Sequence, residues 1–520
     1  MMAMTQPLRA AASATPTKIA TRMGDKDQTW AEVQSNVARM AAALKSLGLK
    51  EGDRTAILAL NSDRYTEYLL ATWWAGGCVV PMNVRWSAAE NAYSLRDSGA
   101  EILFVDAIFA PMFEAIKAEA PSIKHVIFLG DSAPPRDMLN YSKLLAQHEP
   151  APDTNRSGED LAGLYYTGGT TGFPKGVMLS HRALWYNAMA AAGMCSLEAG
   201  HTYLHAAPMF HLADGALSAG VTLAGASHVY IPAFDPVATQ NAMAQYGVTH
   251  AVLVPTMLAM VLQHPEFDPA KFSSLRTIIY GASPMPEGVL RKAMEMLPNV
   301  SFVQAYGQTE LGPLATILPA SCHELDGEHA HRLRSAGRTI PGAEIRLLDD
   351  QRADVVPGEV GEIAVRSLGA MTGYWNMPDQ TAETLVDGWV HTGDGGYRDD
   401  DGFLYIVDRM KDMIVTGGEN VFSAEVESAL STHPAVAEAA VIGIPAQQWG
   451  EAVHAVIVLK EGASTSEADL IEHCRAAIAN YKLPRSVEFR SEPLPLSGAG
   501  KVLKRELREP YWKDTDRQVN

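Results

Sequence analysis

Cysteine is scarce in this chain of 520 residues: Cys78, Cys195, Cys322 and Cys474 are the whole complement, widely spaced and with no CxxC pair. That argues against a disulfide framework or a zinc ribbon and fits a reducing compartment. A basic excess is lacking as well. The formal net charge of -18 speaks against general nucleic-acid binding, which uses basic faces, so any polyanionic ligand needs a local positive pocket. There is no internal repeat and no long low-complexity tract. Long apolar runs are missing too. The most membrane-like stretch, 215–234, is uncharged but interrupted by His228 and Pro232, and it reads as a core helix followed by a strand. The residues up to Gly24 hold Arg9, Lys18 and Arg22 and no acid. They contain no apolar signal core and run straight into a helical pattern, so they read as part of the folded protein. The expectation is a cytoplasmic protein without a membrane span or a nucleic-acid partner; a homodimer is compatible with it.

What is present is an ordinary globular composition, 47% hydrophobic and 20% charged, enough for a large core and about three domain-sized units. Helical periodicity over 30–47 ends at Gly48. Strands are then expected at 55–60, 78–81, 102–105 and 125–129, with a helix at 65–75 between the first two. Such alternation predicts an α/β fold of parallel sheets covered by helices. The polar, Pro-rich passage 147–158 reads as a linker. Beyond it a helix is predicted at 183–193 and strands at 248–255 and from Arg276. Short antiparallel strands are expected over 337–405, and a small α/β unit follows, with a helix from Ala424, strands at 436–441 and 452–459, and a helix from Glu467.

The stretch from Tyr165 to His181, YYTGGTTGFPKGVMLSH, joins a glycine and hydroxyl turn to one lysine and a hydrophobic run. Gly168, Gly169 and Gly172 let main-chain N–H groups crowd an anion. Thr167, Thr170 and Thr171 add hydroxyls, and Lys175 adds a compact charge. The spacing is not that of a P-loop, since Gly172 lies three residues before Lys175 and Gly176 follows it. A polyphosphate cradle is the reading.

Further clusters lie downstream. After the strand from Arg276, Gly281 and Ala282 fall where a parallel sheet places ligands, beyond the carboxyl ends of its strands; their small size leaves room for a bulky group. In 301–313, SFVQAYGQTELGP, Tyr306 can stack on a base, Thr309 can donate to a phosphate and Glu310 can hold Mg2+. The segment from Cys322 to His331 has metal-ligand residue types, but its spacing fits no zinc pattern, and it reads as a polar surface loop.

Together these stretches resemble the adenylate-forming superfamily, which contains acyl-CoA synthetases, aryl-CoA ligases, luciferases and peptide-synthetase adenylation domains. The resemblance covers nearly the whole chain, with five motifs in the family's order. Gly168 stands where the family commonly has a serine. Pro208-Met-Phe-His211 looks like its gate beside the acyl carboxylate, which gives His211 that role. Gly388-Trp-Val-His-Thr-Gly-Asp394 is similar to its Trp-x-x-Thr-Gly-Asp motif, so Asp394 is expected to accept the ribose hydroxyls. Arg409 matches a ribose-contacting arginine and Lys411 a hinge. Gly417 and Gly418 match a turn that approaches CoA, and Lys501 matches a C-terminal lysine that reaches back into the active site.

By the same analogy Leu212, Ala213, Leu217, Met257, Met260, Ala305, Gly307, Pro313 and Leu314 join Gly281 and Ala282 in an acyl pocket. The resemblance implies a large N-terminal adenylation domain over 1–408 with a β-barrel-like region, a hinge at 409–412 and a mobile α/β C-terminal lid over 413–520. It implies ATP, Mg2+ and coenzyme A, and formation of an acyl-CoA through an acyl-adenylate. Leu212 stands where peptide-synthetase domains carry an amine-binding aspartate, which weakens an amino-acid substrate. Asp214, two residues on, keeps that alternative open, as do a luciferase-like enzyme and a non-catalytic nucleotide binder.

Overall fold

The computed structural model of the chain describes residues 2–168, 174–416, 419–446, 448–475, 477–496 and 502–513. Two helix-covered sheets carry most of it. The first has nine strands, of which Ser301–Tyr306, Thr277–Gly281, His250–Val252, Thr202–His205, Ser227–Tyr230 and Ile19–Met23 run parallel in that spatial order. The second has eight; Leu161–Thr167, Cys78–Pro81, Arg54–Leu58, Ile102–Val105, His125–Phe128 and Leu139–Asn140 are its parallel set. These strands are apolar on both faces because helices cover both sides; Cys78–Pro81 and Ile102–Val105 are buried throughout.

Helix starts are set by local chemistry. Thr29 and Glu32 form a reciprocal capping box that begins the helix Trp30–Ser46, and the Ser62 hydroxyl accepts from Tyr65 N at the start of Asp63–Ala75. The acid-free N-terminus belongs to the body: Gln6–Ala14 is a helix with Leu8 and Ala11 buried, and Ile19–Met23 lies in the first sheet. The 215–234 run divides into the helix Leu212–Ala224 and the strand Ser227–Tyr230. No helix among the described residues is long and apolar enough to cross a membrane.

A third, antiparallel sheet holds Ala343–Leu348, Gly361–Ser367, Trp389–Arg398, Leu385–Val386 and Leu404–Arg409. A fourth is built from Ile414–Thr416, Glu419–Val421, Val436–Ala446, Gly450–Leu459 and Ser486–Arg490, with its own core around Ile414, Val426, Leu430 and Val453.

Two expectations change. The passage 147–158 has no regular structure, yet it is packed rather than loose: Ala151 N donates to Ala38 O, Thr154 N to Trp74 O, and Trp74 Nε1 to Ala151 O. The Thr154 hydroxyl also donates to Trp74 O at 3.2 Å, so a polar side chain here satisfies the backbone of a neighbouring helix. The predicted strand at 248–255 shrinks to His250–Val252, because Pro255, whose missing N–H suits a first helical turn, opens the helix Pro255–Gln263.

Candidate active site

Three of the sheets bring their chemical residues to one place. The hairpin of Leu161–Thr167 and Lys175–Ser180 pairs Thr167 with Lys175 at the end where the two strands are connected. Gly168 is exposed next to it; Gly169, Thr170, Thr171 and Gly172 lie outside the described residues. Lys175 sets its ammonium over the ring of Tyr374, 4.9 Å from the centroid, an attraction between cation and π face. Tyr374 reaches that position because Gly373–Tyr374 pairs with the same hairpin, Tyr374 opposite Val177.

The Tyr374 hydroxyl donates to Glu310 Oε1 at 2.9 Å, so one tyrosine ties the lysine of the second sheet to the carboxylate that follows the first. Burial, and then the Glu310 carboxylate, push the Tyr374 pKa upward, keeping it a donor. Thr309 and Glu310 sit in a short 3-10 turn, Thr309–Leu311, just past the carboxyl end of Ser301–Tyr306. That turn is pinned from behind by the fully buried Asn187, whose amide donates to Leu311 O at 3.1 Å and accepts from Leu314 N at 2.9 Å.

The third contribution comes from the antiparallel sheet. Asp394 faces Arg409 across neighbouring strands and pairs with its Nε at 2.8 Å. The other carboxylate oxygen accepts from the Tyr306 hydroxyl at 2.8 Å. Burial works against the Arg409 charge, but Asp394 and Glu310 outweigh it and hold its pKa above the ordinary value. For Tyr306, burial and then Asp394 raise the pKa. The approach to Asp394 is fixed by Glu362, which accepts from His391 Nδ1 at 2.7 Å and from Gly393 N at 3.1 Å. An ionised carboxylate has about four acceptor positions, so Asp394 retains capacity for two more donors.

The expected pocket residues are placed as follows. Gly281 and Gly307 close the carboxyl ends of adjacent parallel strands; a Cβ on them would come within 2.0 Å of Ala305 O and 1.9 Å of Pro313 O. Glycine is needed at both positions. Ala282 holds a left-handed φ of 63°, local strain of the kind that gathers at ligand sites. Ala282, Ala305, Pro313 and Leu314 are half-buried. Leu212, Leu217 and Met257 are buried in the core, whereas Met260 is 52% exposed.

His211 is half-buried at the N-cap of Leu212–Ala224, its ring 4.3 Å from that of Phe210. Its loop hangs from Asn61, which donates to His205 O and Ala207 O and accepts from Met209 N at 2.8 Å. Asp214 points elsewhere: it is fully buried and bonded to Tyr203 and His205, so it is not available to hold a substrate amine.

Lys501, Gly417 and Gly418, and the Lys411 side chain, lie outside the described residues. Around the expected hinge, Asp408 accepts from Ser423 N at 2.6 Å and from its hydroxyl. Lys504 donates to that hydroxyl and pairs with Glu427 at 2.8 Å. Burial would lower the Lys504 pKa, but Glu427 and Asp408 outweigh it and raise it.

No motif of the sequence marks Tyr374, Asn187 or Glu362 as functional. Tyr374 had a usable signal, since it stands in the short GYWN stretch between two strands of the antiparallel region. Asn187 had none, being one polar letter inside a helix. No group of three or more His, Cys, Asp or Glu lies together among the described residues. A single carboxylate such as Glu310 nevertheless suits Mg2+, which is commonly held by one or two carboxylates plus substrate phosphates.

The chain belongs to the AMP-binding enzyme family, whose profile matches residues 8–375; the profile of the AMP-binding enzyme C-terminal domain matches 425–501. It is 38% identical to the fatty acid–[acyl-carrier-protein] ligase ScoC of Streptomyces coeruleorubidus, over 97% of this chain and 96% of that protein. It is 38% identical to a feruloyl-CoA synthase of Amycolatopsis sp, over 95% of this chain and 96% of that one. Among solved structures, ATP-bound MatB from Rhodopseudomonas palustris superposes with a TM-score of 0.88 at 30% identity, covering 99% of each chain.

Proposed function

We propose that the chain is an ATP-dependent carboxylate:CoA ligase acting on a hydrophobic fatty or aryl acid. One observation carries the reading: Lys175 and Glu310, from different sheets, meet on Tyr374 within a family whose profile spans both. Relatives that accept fatty acids or ferulate by name support the substrate class.

In the first step a carboxylate oxygen attacks the α-phosphorus of ATP. The bond from that phosphorus to the oxygen bridging to the β-phosphate breaks, and pyrophosphate leaves with the electron pair. Preorganised donors lower such a barrier by meeting charge as it develops. Thr167 through Lys175 cradle the phosphates, Thr309 donates to them, and Lys501 adds a second cation. Glu310 would hold Mg2+, which when bound would supply charge neutralisation of the phosphates. Asp394 and Arg409 position the ribose, and Tyr306 provides the face for the base.

In the second step the thiol sulfur of CoA attacks the acyl carbonyl carbon, the thiol proton passes to water, and AMP leaves with the C–O electron pair. Rotation at Lys411, between an adenylation domain at 1–408 and a lid at 413–520, exchanges Lys501 for Gly417 and Gly418 between the steps. The acyl group rests against His211, Gly281, Ala282, Ala305 and Gly307. A cytoplasmic location and the lack of a nucleic-acid partner rest on the acidic, cysteine-poor composition.

A hydroxamate-trapping screen across aryl, hydroxycinnamic and medium- and long-chain fatty acids, with CoA, carrier protein or neither, tests the reading. Acid-dependent hydroxamate without acceptor, and thioester with CoA, are expected. No activation of any acid would overturn it.

A further inference from the structure

The helix that begins at Leu212 is held by a buried polar chain that the proposed chemistry does not use. Asp214, in its first turn, accepts from the Tyr203 hydroxyl at 2.8 Å and faces His205 Nδ1 at 2.6 Å. His205 Nε2 lies 3.0 Å from His228 Nδ1, and His228 Nε2 lies 3.2 Å from the Thr222 hydroxyl, two turns further along the same helix. Each of these residues is at most 3% exposed. The rings of His205, His228 and Tyr230 lie nearly parallel, His205 at interplanar angles of 4° and 10° to the other two, and Trp30 meets His228 edge-on.

Counting hydrogens along this network fixes the order of its donors and acceptors. Thr222 spends its one hydroxyl hydrogen on Ser218 O at 3.0 Å, so its oxygen accepts from His228 Nε2. His228 Nδ1 is then an acceptor and takes the Nε2 hydrogen of His205, while one hydrogen lies between His205 Nδ1 and Asp214. Every group is satisfied when one hydrogen lies between His205 Nδ1 and Asp214, and the pair then has no net charge whichever partner holds it, in a site that would penalise a lone anion. Burial, and then His205, hold the His228 pKa well below its ordinary value, in keeping with a neutral ring.

This pair fastens the first turn of the helix to the end of the strand Thr202–His205. The same turn carries His211, whose carbonyl accepts from Gly215 N at 2.8 Å and from Asp214 N at 3.2 Å. We propose that Asp214 and His205 are positioning residues for acid selection: paired and buried, they set where His211 and the adjoining helix wall stand, and so which acyl group fits. The proposal rests on the ligase reading for its substrate and on the hydrogen-bond chain for its physics.

Asp214→Asn and His205→Gln in the full chain test it. The expected result is that the ratio of kcat/KM for ferulate over hexanoate shifts by about 10-fold or more while the KM for ATP holds within about twofold, the mark of altered discrimination rather than lost binding. If both acids fall alike, with only a lower Tm, the residues are merely structural and the proposal is overturned. A readout independent of folding variants and of activity is 15N-histidine NMR of the unsubstituted chain. An Nε2–H signal of His205 coupled across a hydrogen bond to His228 Nδ1 is expected; its absence overturns the proposal, whereas inactivity towards every acid alongside that signal would overturn only the ligase reading.

Discussion

Tyr306 donates its hydroxyl to Asp394 across 2.8 Å, over a sequence separation of 88 residues. The bond joins the carboxyl edge of the first parallel sheet to the antiparallel sheet, and with Arg409 on the other carboxylate oxygen it orients Asp394 before any nucleotide arrives. A carboxylate oriented in this way needs no reorganisation on binding.

Asp394→Asn should therefore raise the KM for ATP more than it lowers kcat. Loss of charge-assisted bonds is worth about 1.5–3 kcal/mol in favourable settings. With the Arg409 side chain 38% exposed, the lower end applies, about 10-fold in KM. Steady-state kinetics with ATP varied check it; an unchanged KM would remove Asp394 from the ribose site.

Tyr374→Phe keeps the ring beneath Lys175 and deletes the donor to Glu310. Because Glu310 is 9% exposed, it loses a bond that water replaces poorly, and acid-dependent pyrophosphate exchange should fall by about 10-fold. The fall should be greatest at low Mg2+, since Glu310 then lacks the contact that orients it. Titrating Mg2+ in the exchange assay reads this directly.

Ser423→Ala removes the hydroxyl between Asp408 and Lys504. These contacts bridge residues on either side of 409–412, so the variant should change the ratio of the two half-reactions by about 3-fold or more with little change in acid preference. Single-turnover measurements of adenylate and thioester formation check it.

Stability should fall on acidification through three histidines. Burial holds His181, His250 and His323 at a pKa of about 4, below the ordinary value near 6.5. The unfolded chain therefore binds more protons between these values. The stabilisation is complete above about pH 6.5 and is lost as pH falls towards 4, at up to about 1.4 kcal/mol per pH unit for each histidine. Thermal melts from pH 7 to pH 4.5 should show it, and His323→Gln should flatten the slope by about one proton.

Much of this fold could be read from the letters because buried parallel strands announce themselves. Cys78–Pro81 and Ile102–Val105 have the expected bounds, and the helix after Thr29 carries its own start signal. The passage 147–158 could not be read correctly, since polar letters do not reveal whether they satisfy a neighbour's backbone or face water. The motif residues were individually legible, but their meeting was not: nothing local to Lys175 or Glu310 states that Tyr374 stands between them. Asp214 shows the reverse case, a residue two places from an expected substrate contact that is wholly engaged by Tyr203 and His205. Spacing along a helix start does not specify which face of the turn meets the sheet.

The most direct test is to follow both half-reactions in Lys501→Ala. Pyrophosphate exchange driven by a carboxylic acid should drop by at least about 10²-fold, as for loss of a transition-state charge stabiliser, while thioester formation from supplied acyl-adenylate and CoA continues near its original rate. Equal loss of both half-reactions, or loss of neither, would contradict the account.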